Sequence, residues 1–445
     1  MAKSKNKHLM NNYPTRIALI AALGGFLFGF ETSVISGAEQ IIQQLWGLDS
    51  FWLGFTVTSS LIGTVLGALI IGGPAQKYGR RKVLFAIAVF YFFSALGCAL
   101  TDQWAGFVFF RFLGGIAVGA SSVVGPMYIS EIAPSSSRGR LAGMFQLNIV
   151  AGILIAYLTN YLLSGLDHSW RYMLGIMVIP AVIFYTLLWF IPESPRWLVN
   201  RGRVDEARKT FHKLGDDEAL ERAIQANNAV STRESLFNGK YNKPIFYAVL
   251  LAMFNQLSGI NAILYYAPRI FEMAGFNRAD AFQQSVYIGL ANFLFTLLAM
   301  TVIDRFGRKK LLLTGAAGMV VFLILTALAF NNPNGGGAYV IFYLVGFIAF
   351  FAFSQGAVIW VFISEIFPNS VRSQGSSLGS FTHWIMAAVI SWIFPIIVEA
   401  SPAGGFYAFL FYAVMMLASF IFIWRVMPET KGKSLEQIQE ELGIN

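Results

Sequence analysis

Twelve stretches of the chain are apolar over enough length to cross a bilayer, and short polar stretches separate them. They lie near 16–38, 53–75, 83–101, 105–128, 140–163, 171–191, 244–268, 282–303, 311–330, 338–366, 375–398 and 405–427. A hydrocarbon core about 30 Å thick needs roughly 20 helical residues, and lipid offers no partner to an exposed backbone N–H or C=O. The pattern therefore predicts an all-α polytopic membrane protein with twelve transmembrane helices. The longest hydrophilic stretch, 192–243, divides them six and six. Within it Val204, Ala207, Phe211 and Leu214 recur at helical spacing, as do Ala219, Leu220, Ala223 and Ile224, so short helices are expected there. Asp216 stands where it could cap the second of them after the Gly215 break.

The polar stretches repeat. Gln76-Lys77-Tyr78-Gly79-Arg80-Arg81-Lys82 is answered by Asp304-Arg305-Phe306-Gly307-Arg308-Lys309-Lys310. Ile129-Ser130-Glu131-Ile132-Ala133-Pro134 with Arg138 is answered by Ile363-Ser364-Glu365-Ile366-Phe367-Pro368 with Arg372, and Pro192-Glu193-Ser194 by Pro428-Glu429-Thr430. Three pairs in one order, each roughly 230 residues apart, imply a membrane-embedded unit duplicated head to tail, which is how many secondary transporters are built.

Composition narrows the reading. Only 12% of the 445 residues are charged and 56% are apolar, against about 25% charged in a soluble domain. The net charge of +9 does not indicate nucleic acid, because nearly every Lys and Arg flanks an apolar run as a juxtamembrane anchor does. Lys3, Lys5, Lys7, Arg16, the cluster Lys77 to Lys82, Arg138, Arg140, Arg305 to Lys310, Arg372, Lys431 and Lys433 fall in alternate loops. By the positive-inside rule those loops and both termini are cytoplasmic. The opposite loops are read as carrying Glu39, Asp49, Asp102, Asp167 and Glu399, with Arg171, Arg269 and Arg278.

The single cysteine, Cys98, excludes an intrachain disulfide or a cysteine-rich metal site. The histidines His8, His168, His212 and His383 are scattered, with no nucleophile or metal constellation, so neither an enzyme nor a cofactor is expected. The first apolar run is too long for a cleavable signal peptide. No Asn-x-Ser/Thr sequon occurs, which favours a prokaryotic cell membrane.

These signatures closely resemble the sugar porter family of the major facilitator superfamily, and in particular its bacterial sugar/proton symporter branch. The resemblance covers almost the whole chain. Its most specific marks are Pro192-Glu193-Ser194-Pro195-Arg196-Trp197-Leu198, Pro428-Glu429-Thr430-Lys431-Gly432, and Gln256-Leu257-Ser258-Gly259-Ile260-Asn261 with Tyr265 and Tyr266. It implies six-helix bundles at 1–191 and 244–427, a cytoplasmic helical linker at 192–243 and a cytoplasmic tail at 428–445. It also implies alternating access to a central monosaccharide site, by a chain expected to work as a monomer.

Glu31 interrupts span one, where a charge costs about 2.5–3.5 kcal/mol and needs a partner, a cavity or a proton. Arg111 in span four is its natural partner. In proton-using relatives an acidic residue, commonly Asp, occupies the position of Glu31 and is the proposed proton carrier. The competing reading is a permanently ionised structural pair. One charge moved across ~100 mV is worth about 2.3 kcal/mol, roughly 40-fold accumulation of a neutral solute.

A sugar site should gather neutral amides and aromatic rings, because each amide both donates and accepts. Gln256 and Asn261 flank Ser258-Gly259, a point where span seven can open. By resemblance both are sugar ligands, as are Gln146 in span five, Tyr265 in span seven and Asn292 in span eight. Trp360 matches a sugar-stacking tryptophan. Asn255 stands where the family usually has Gln, Ala357 where it commonly has Pro after the Gly of span ten, and Ala352 where many animal facilitators have Glu. His383 stands where relatives commonly have an amide before Trp384, as a further sugar partner whose protonation would make transport pH-dependent.

The doubled charges Arg80, Arg81, Glu131, Arg138 and Glu193, and Asp304, Arg305, Arg308, Glu365, Arg372 and Glu429, are read by resemblance as a cytoplasmic gate of state-dependent salt bridges. Gln76 in place of the expected Asp predicts a weaker first copy. The leading function is a proton-coupled monosaccharide importer. A facilitative uniporter of the same fold is the alternative, and a transporter-like sugar sensor the remote one.

Overall fold

The computed structural model describes residues 13–134, 137–216, 218–228, 234–331, 337–368, 370–431, 433 and 435–444. Lys3, Lys5, Lys7 and His8 lie outside them, and of Arg138, Asp304 and Arg305 only the helical backbone is described. Twelve described helices are long and apolar enough to cross a membrane: α1 Tyr13–Trp46, α2 Ser50–Ile70, α3 Arg80–Leu100, α4 Trp104–Ile132, α5 Gly139–Leu163, α6 Ser169–Phe190, α7 Asn242–Tyr265, α8 Arg278–Thr301, α9 Arg308–Phe330, α10 Gly337–Ile363, α11 Arg372–Ala400 and α12 Gly404–Arg425. No strand occurs among the described residues. The chain is an all-α multi-pass membrane protein.

Several boundaries differ from those the apolar runs predict. Glu39 and Glu399, expected in loops, are helical residues of α1 and α11. A helix can extend past its apolar stretch when its polar turns find partners, and these two do. Span two stops at Ile70, and Gly72–Tyr78 forms a separate short helix. Span six loosens around Ile176, because Pro180 has no N–H to return to the Ile176 carbonyl, and the Ile179 N–H takes it at 3.1 Å. Span seven is broken where the sequence suggested, with Gly259 in the left-handed region at φ 82° between Asn242–Leu257 and Ile260–Tyr265. Span ten breaks at Ser354 without a proline, between Gly337–Phe353 and Gln355–Glu365.

The described residues gather into two compact units. One comprises those within Met1–Glu31, Gly63–Ile153 and Leu174–Ser231; the other, those within Thr32–Ile62, Leu154–Met173 and Thr232–Asn445. The division cuts through α1, α2, α5 and α6. In the first unit α1 and α5 cross at glycines: a Cβ on Gly29 would lie 1.9 Å from the Ile149 carbonyl oxygen, and one on Gly152 2.1 Å from that of Phe26. Such close approach, rather than hydrophobic force, holds helices together in lipid. The hydrophilic stretch forms helices Pro195–Asn200, Val204–Leu214 and Glu218–Asn228, whose apolar faces pack Trp197, Leu198, Ala207, Phe211 and Leu220 together. Gly215 ends the second at φ 74°, and the Asp216 carbonyl accepts the Ala219 N–H at 3.1 Å. In the second unit the helix Leu435–Leu442 presses Ile438 and Leu442 into the core with Phe362 and Ile423.

The duplicated signatures fold alike. Gly79 (φ 93°, ψ 163°) precedes α3 and Gly307 (φ 90°, ψ 155°) precedes α9, in a backbone region reserved for glycine. A Cβ would lie 2.3 Å from Glu193 Oε2 at the first and 2.8 Å from Glu429 Oε2 at the second. Gly79→Ala and Gly307→Ala are each expected to cost about 1–3 kcal/mol, read as a lower unfolding midpoint of the detergent-solubilised protein. Gly139→Ala, with nothing within 4 Å of the added carbon, is expected to leave the midpoint unchanged or slightly raised.

Candidate functional site

Glu31 and Arg111 meet within the first unit. Arg111 Nη1 donates to Glu31 Oε1 and, at 3.3 Å, to the Glu31 backbone carbonyl. Their side chains are 3% and 0% exposed. The added methylene of Glu relative to Asp is therefore accommodated. Gly114 makes the room, since a Cβ there would sit 2.3 Å from Ser94 Oγ and 2.8 Å from Glu31 Oε1. A carboxylate stripped of water persists in such a place only beside a cation or carrying a proton.

In the second unit the break at Gly259 turns three amides toward one another. Asn261 Nδ2 donates to Gln256 Oε1 at 2.8 Å, and Gln256 Nε2 donates to Asn255 Oδ1 at 3.0 Å. The same Nε2 lies 3.1 and 3.2 Å from the two ring nitrogens of His383, whose ring centroid is 4.9 Å from that of Trp360. Gln256, Asn261, His383 and Trp360, named from sequence, thus form one group. Trp360 is 37% exposed while the amides are buried, so a flat apolar face lies beside stacked donors and acceptors. That combination suits a polyhydroxylated ring.

Tyr265 is buried one turn beyond Asn261. Asn292 is buried on α8, and among the described residues no hydrogen bond ties it to the group. Gln146 is half-buried on α5, in the first unit. Gln355 was missed by sequence: it opens the second segment of α10, is fully buried, and its carbonyl accepts from Asn255 Nδ2 at 3.5 Å. An amide next to Ser354 within an apolar run was the available signal.

Sequence reasoning also missed a charged cluster on the side opposite the basic loops, within the second unit. Arg269, on the helix Ala267–Met273, grips Glu39 with Nε at 2.9 Å and Nη2 at 2.8 Å, and reaches Glu399 with Nη1 at 2.6 Å. Gln43 accepts from Arg269 and donates to Glu399 at 3.1 Å, and Ser50 also donates to Glu399. Burial works against the Arg269 charge, but Glu39 and Glu399 more than offset it and hold the guanidinium above its usual range. Nearby, Trp392 Nε1 donates to the Phe51 carbonyl at 3.1 Å, and Tyr157 Oη to that of Leu264 at 2.7 Å. The ends of α1, α2 and α5 opposite the basic loops are thereby clamped to α7 and α11.

On the basic side each signature closes on itself. In the first unit Arg80 Nη2 meets Glu131 Oε1 at 2.7 Å, and Glu193 accepts the backbone N–H groups of Arg80 (2.9 Å), Arg81 (3.1 Å) and Ser194 (2.8 Å). Arg81 caps the Leu188 and Trp189 carbonyls through Nε and Nη2. Burial raises the Glu193 carboxyl above the usual range, against the pull of these N–H groups. In the second unit Arg308 Nη2 meets Glu365 Oε1 at 3.0 Å, Glu429 accepts the N–H groups of Arg308 (3.0 Å) and Lys309 (3.1 Å), and Thr430 bonds Glu365 at 2.6 Å. Arg372 Nε donates to the Phe367 carbonyl at 3.3 Å. A carboxylate on the first N–H groups of a helix is held by both hydrogen bonds and the helix dipole. Gln76 contributes through its backbone, whose carbonyl accepts from Trp197 Nε1 at 2.7 Å. The weaker first lock expected from Gln76 turns on Asp304, whose side chain is outside the described residues.

A family model described as sugar (and other) transporter matches residues 17–442. The chain belongs to the sugar transporter family. Relatives of this sugar transporter include the D-xylose transporter of Levilactobacillus brevis, 37% identical over 436 residues that cover 96% of this chain and 95% of the relative. The arabinose-proton symporter of Bacillus subtilis (strain 168) is 35% identical over 437 residues, 95% of this chain and 94% of the relative. Among solved structures, an inward open conformation of the xylose transporter XylE from E. coli superimposes with a TM-score of 0.86 at 33% identity, over 96% of the transporter described here and 100% of XylE.

Removing one partner of a buried ion pair strands the other. Arg269→Met, which leaves the fully buried Glu39 uncompensated, is expected to destabilise the transporter by about 3–5 kcal/mol. Arg269→Met combined with Glu39→Gln should recover a substantial part. Thermal unfolding in detergent checks this, and a single variant as stable as wild type refutes the clamp.

Proposed function

We propose that the chain imports a monosaccharide, a hexose or pentose, together with a proton by alternating access. It does so as a monomer in the cell membrane, with the basic loops and both termini cytoplasmic. The observation that carries the coupling is the buried contact between Glu31 and Arg111 in a chain of this family. A carboxylate able to hold either a proton or an ion-pair partner has two neutral arrangements, and a conformational change that alters its surroundings can exchange them. Gln256, Asn261, His383 and Trp360 are the proposed core of the sugar site, with Tyr265, Asn292 and Gln146 as further ligands from the family pattern.

The arrangement of the amides supports that assignment. Gln256 already has its oxygen bonded by Asn261 and its nitrogen near Asn255 and His383. A sugar hydroxyl there exchanges one of these bonds for another at little net cost. The charges on each basic-side signature are the proposed cytoplasmic gate, and the Arg269 cluster its outer counterpart.

Uptake of D-xylose, L-arabinose, D-glucose and D-galactose into proteoliposomes, with and without an imposed pH gradient, tests the reading. Gradient-driven accumulation of at least one sugar is expected, and Glu31→Gln should lose it while still exchanging labelled for unlabelled sugar. Accumulation that persists in Glu31→Gln removes the proton assignment, and facilitated uptake indifferent to the gradient in wild type indicates a uniporter. Gln256→Ala is expected to weaken apparent sugar affinity by about tenfold, the loss of one or two hydrogen bonds.

A further inference from the structure

Near the ion pair, the first unit buries two poorly satisfied hydroxyls beside each other. Tyr91 on α3 and Ser121 on α4 are each 0% exposed. Neither side-chain oxygen meets a hydrogen-bond partner in standard geometry among the described residues, and the two hydroxyls lie within reach of each other. An unsatisfied buried hydroxyl costs about 1–3 kcal/mol, so two close to one buried carboxylate require an explanation.

Their placement suggests one. Ser94 Oγ and Glu31 Oε1 both crowd Gly114. Tyr91 stands one turn from Ser94, toward the basic end of α3, with Glu31 within electrostatic reach of its hydroxyl. Ser121 lies seven residues beyond Gly114, so it occupies the same face of α4 two turns on. Its Oγ abuts Gly24, itself seven residues before Glu31 on α1. Because α1 leaves the basic side and α4 approaches it, both intervals put Ser121 about 10 Å nearer that side than Glu31. Seven residues further along α4, the fully buried Tyr128 donates its hydroxyl to the Pro192 carbonyl at 2.7 Å, next to Glu193. Hydroxyls on one face thus descend from Glu31 to the basic-side charges.

We propose that Tyr91 and Ser121 form the route by which the proton carried on Glu31 leaves toward the cytoplasm. The proposal rests on the reading of Glu31 as proton carrier. In each transfer Glu31 gives its proton to the Tyr91 hydroxyl oxygen, Tyr91 passes its own proton to the Ser121 oxygen, and Ser121 releases its own to water on the basic side. Both hydroxyls end neutral and the carboxylate remains ionised beside Arg111. Water between Glu31 and Tyr91 and beyond Ser121 would complete the chain, with the underbonded hydroxyls as the polar partners it needs. The titratable and charged groups facing Glu31 are Arg111 from α4 and Tyr91 and Cys98 from α3. Cys98 Sγ points to the Phe107 carbonyl at 4.0 Å, toward the opposite end of α4, and is off the route.

The test uses the full chain in proteoliposomes with whichever of D-xylose, L-arabinose and D-glucose wild type accumulates. Three rates are measured: gradient-driven uptake, equilibrium exchange, and sugar-dependent proton entry reported by an internal pH dye. Exchange does not require Glu31 to release its proton, whereas net uptake does. Tyr91→Phe keeps the ring and removes the hydroxyl. Uptake and proton entry should fall about tenfold or more, with exchange within about twofold of wild type. Ser121→Ala should shift the same two rates in the same direction. Unchanged uptake in both variants overturns the route, and so does an equal fall of uptake and exchange, which marks a packing role. Glu31→Gln separates the two levels. If it abolishes accumulation while Tyr91→Phe and Ser121→Ala retain it, the route fails and the coupling stands. If Glu31→Gln still accumulates sugar, the coupling fails and the route with it.

Discussion

A bilayer interior offers a polar group no water to bond, and the whole molecule is arranged around that constraint. It forces the backbone into helices. It also sets the terms on which polar side chains enter: each must bring its own partner. Glu31 has Arg111, Glu39 has Arg269, and Gln256 lies between Asn255, Asn261 and His383. The broken spans follow the same rule. The backbone groups freed at Gly259 and Ser354 open among buried amides and hydroxyls, not toward lipid.

The two copies of the basic-side signature show how few residues such a rule needs. A glycine at φ near 90° lets a carboxylate approach the first N–H groups of the next helix, and an arginine from that helix reaches a second carboxylate. The glycine, the arginine and both glutamates recur in each half. The geometry recurs with them, although Lys309 replaces Arg81 and Thr430 replaces Ser194.

Much of this was legible in the sequence. Apolar runs near 20 residues long admit few alternatives, and the duplicated charges at their ends were legible as a set, while which arginine meets which glutamate came from the structure. The pairing of Glu31 with Arg111 follows from charge at membrane depth. What escaped depends on contacts between distant segments. Glu39 and Glu399 looked like loop residues because the apolar runs fade before them, yet Arg269, some 230 and 130 positions away, keeps both in helices. The absent proline at 357 gave no warning that α10 still breaks at Ser354. That Asn255, standing where the family usually has Gln, accepts from Gln256 and donates to the Gln355 carbonyl was likewise not legible in the sequence.

Past the Gly259 break, Ile260–Tyr265 and Ala267–Met273 follow one another with Tyr266 alone between them. This stub carries Asn261 at its start and Arg269 near its end, so one short lever holds a proposed sugar contact and the Arg269 clamp. Two equilibria mounted on one lever cannot be independent. Any free energy that substrate gains by tilting the stub appears, with equal size, as a change in the hold of Arg269 on Glu39 and Glu399. With the proposed sugar contact on that stub, variation at the clamp would retune sugar affinity while leaving the amides untouched.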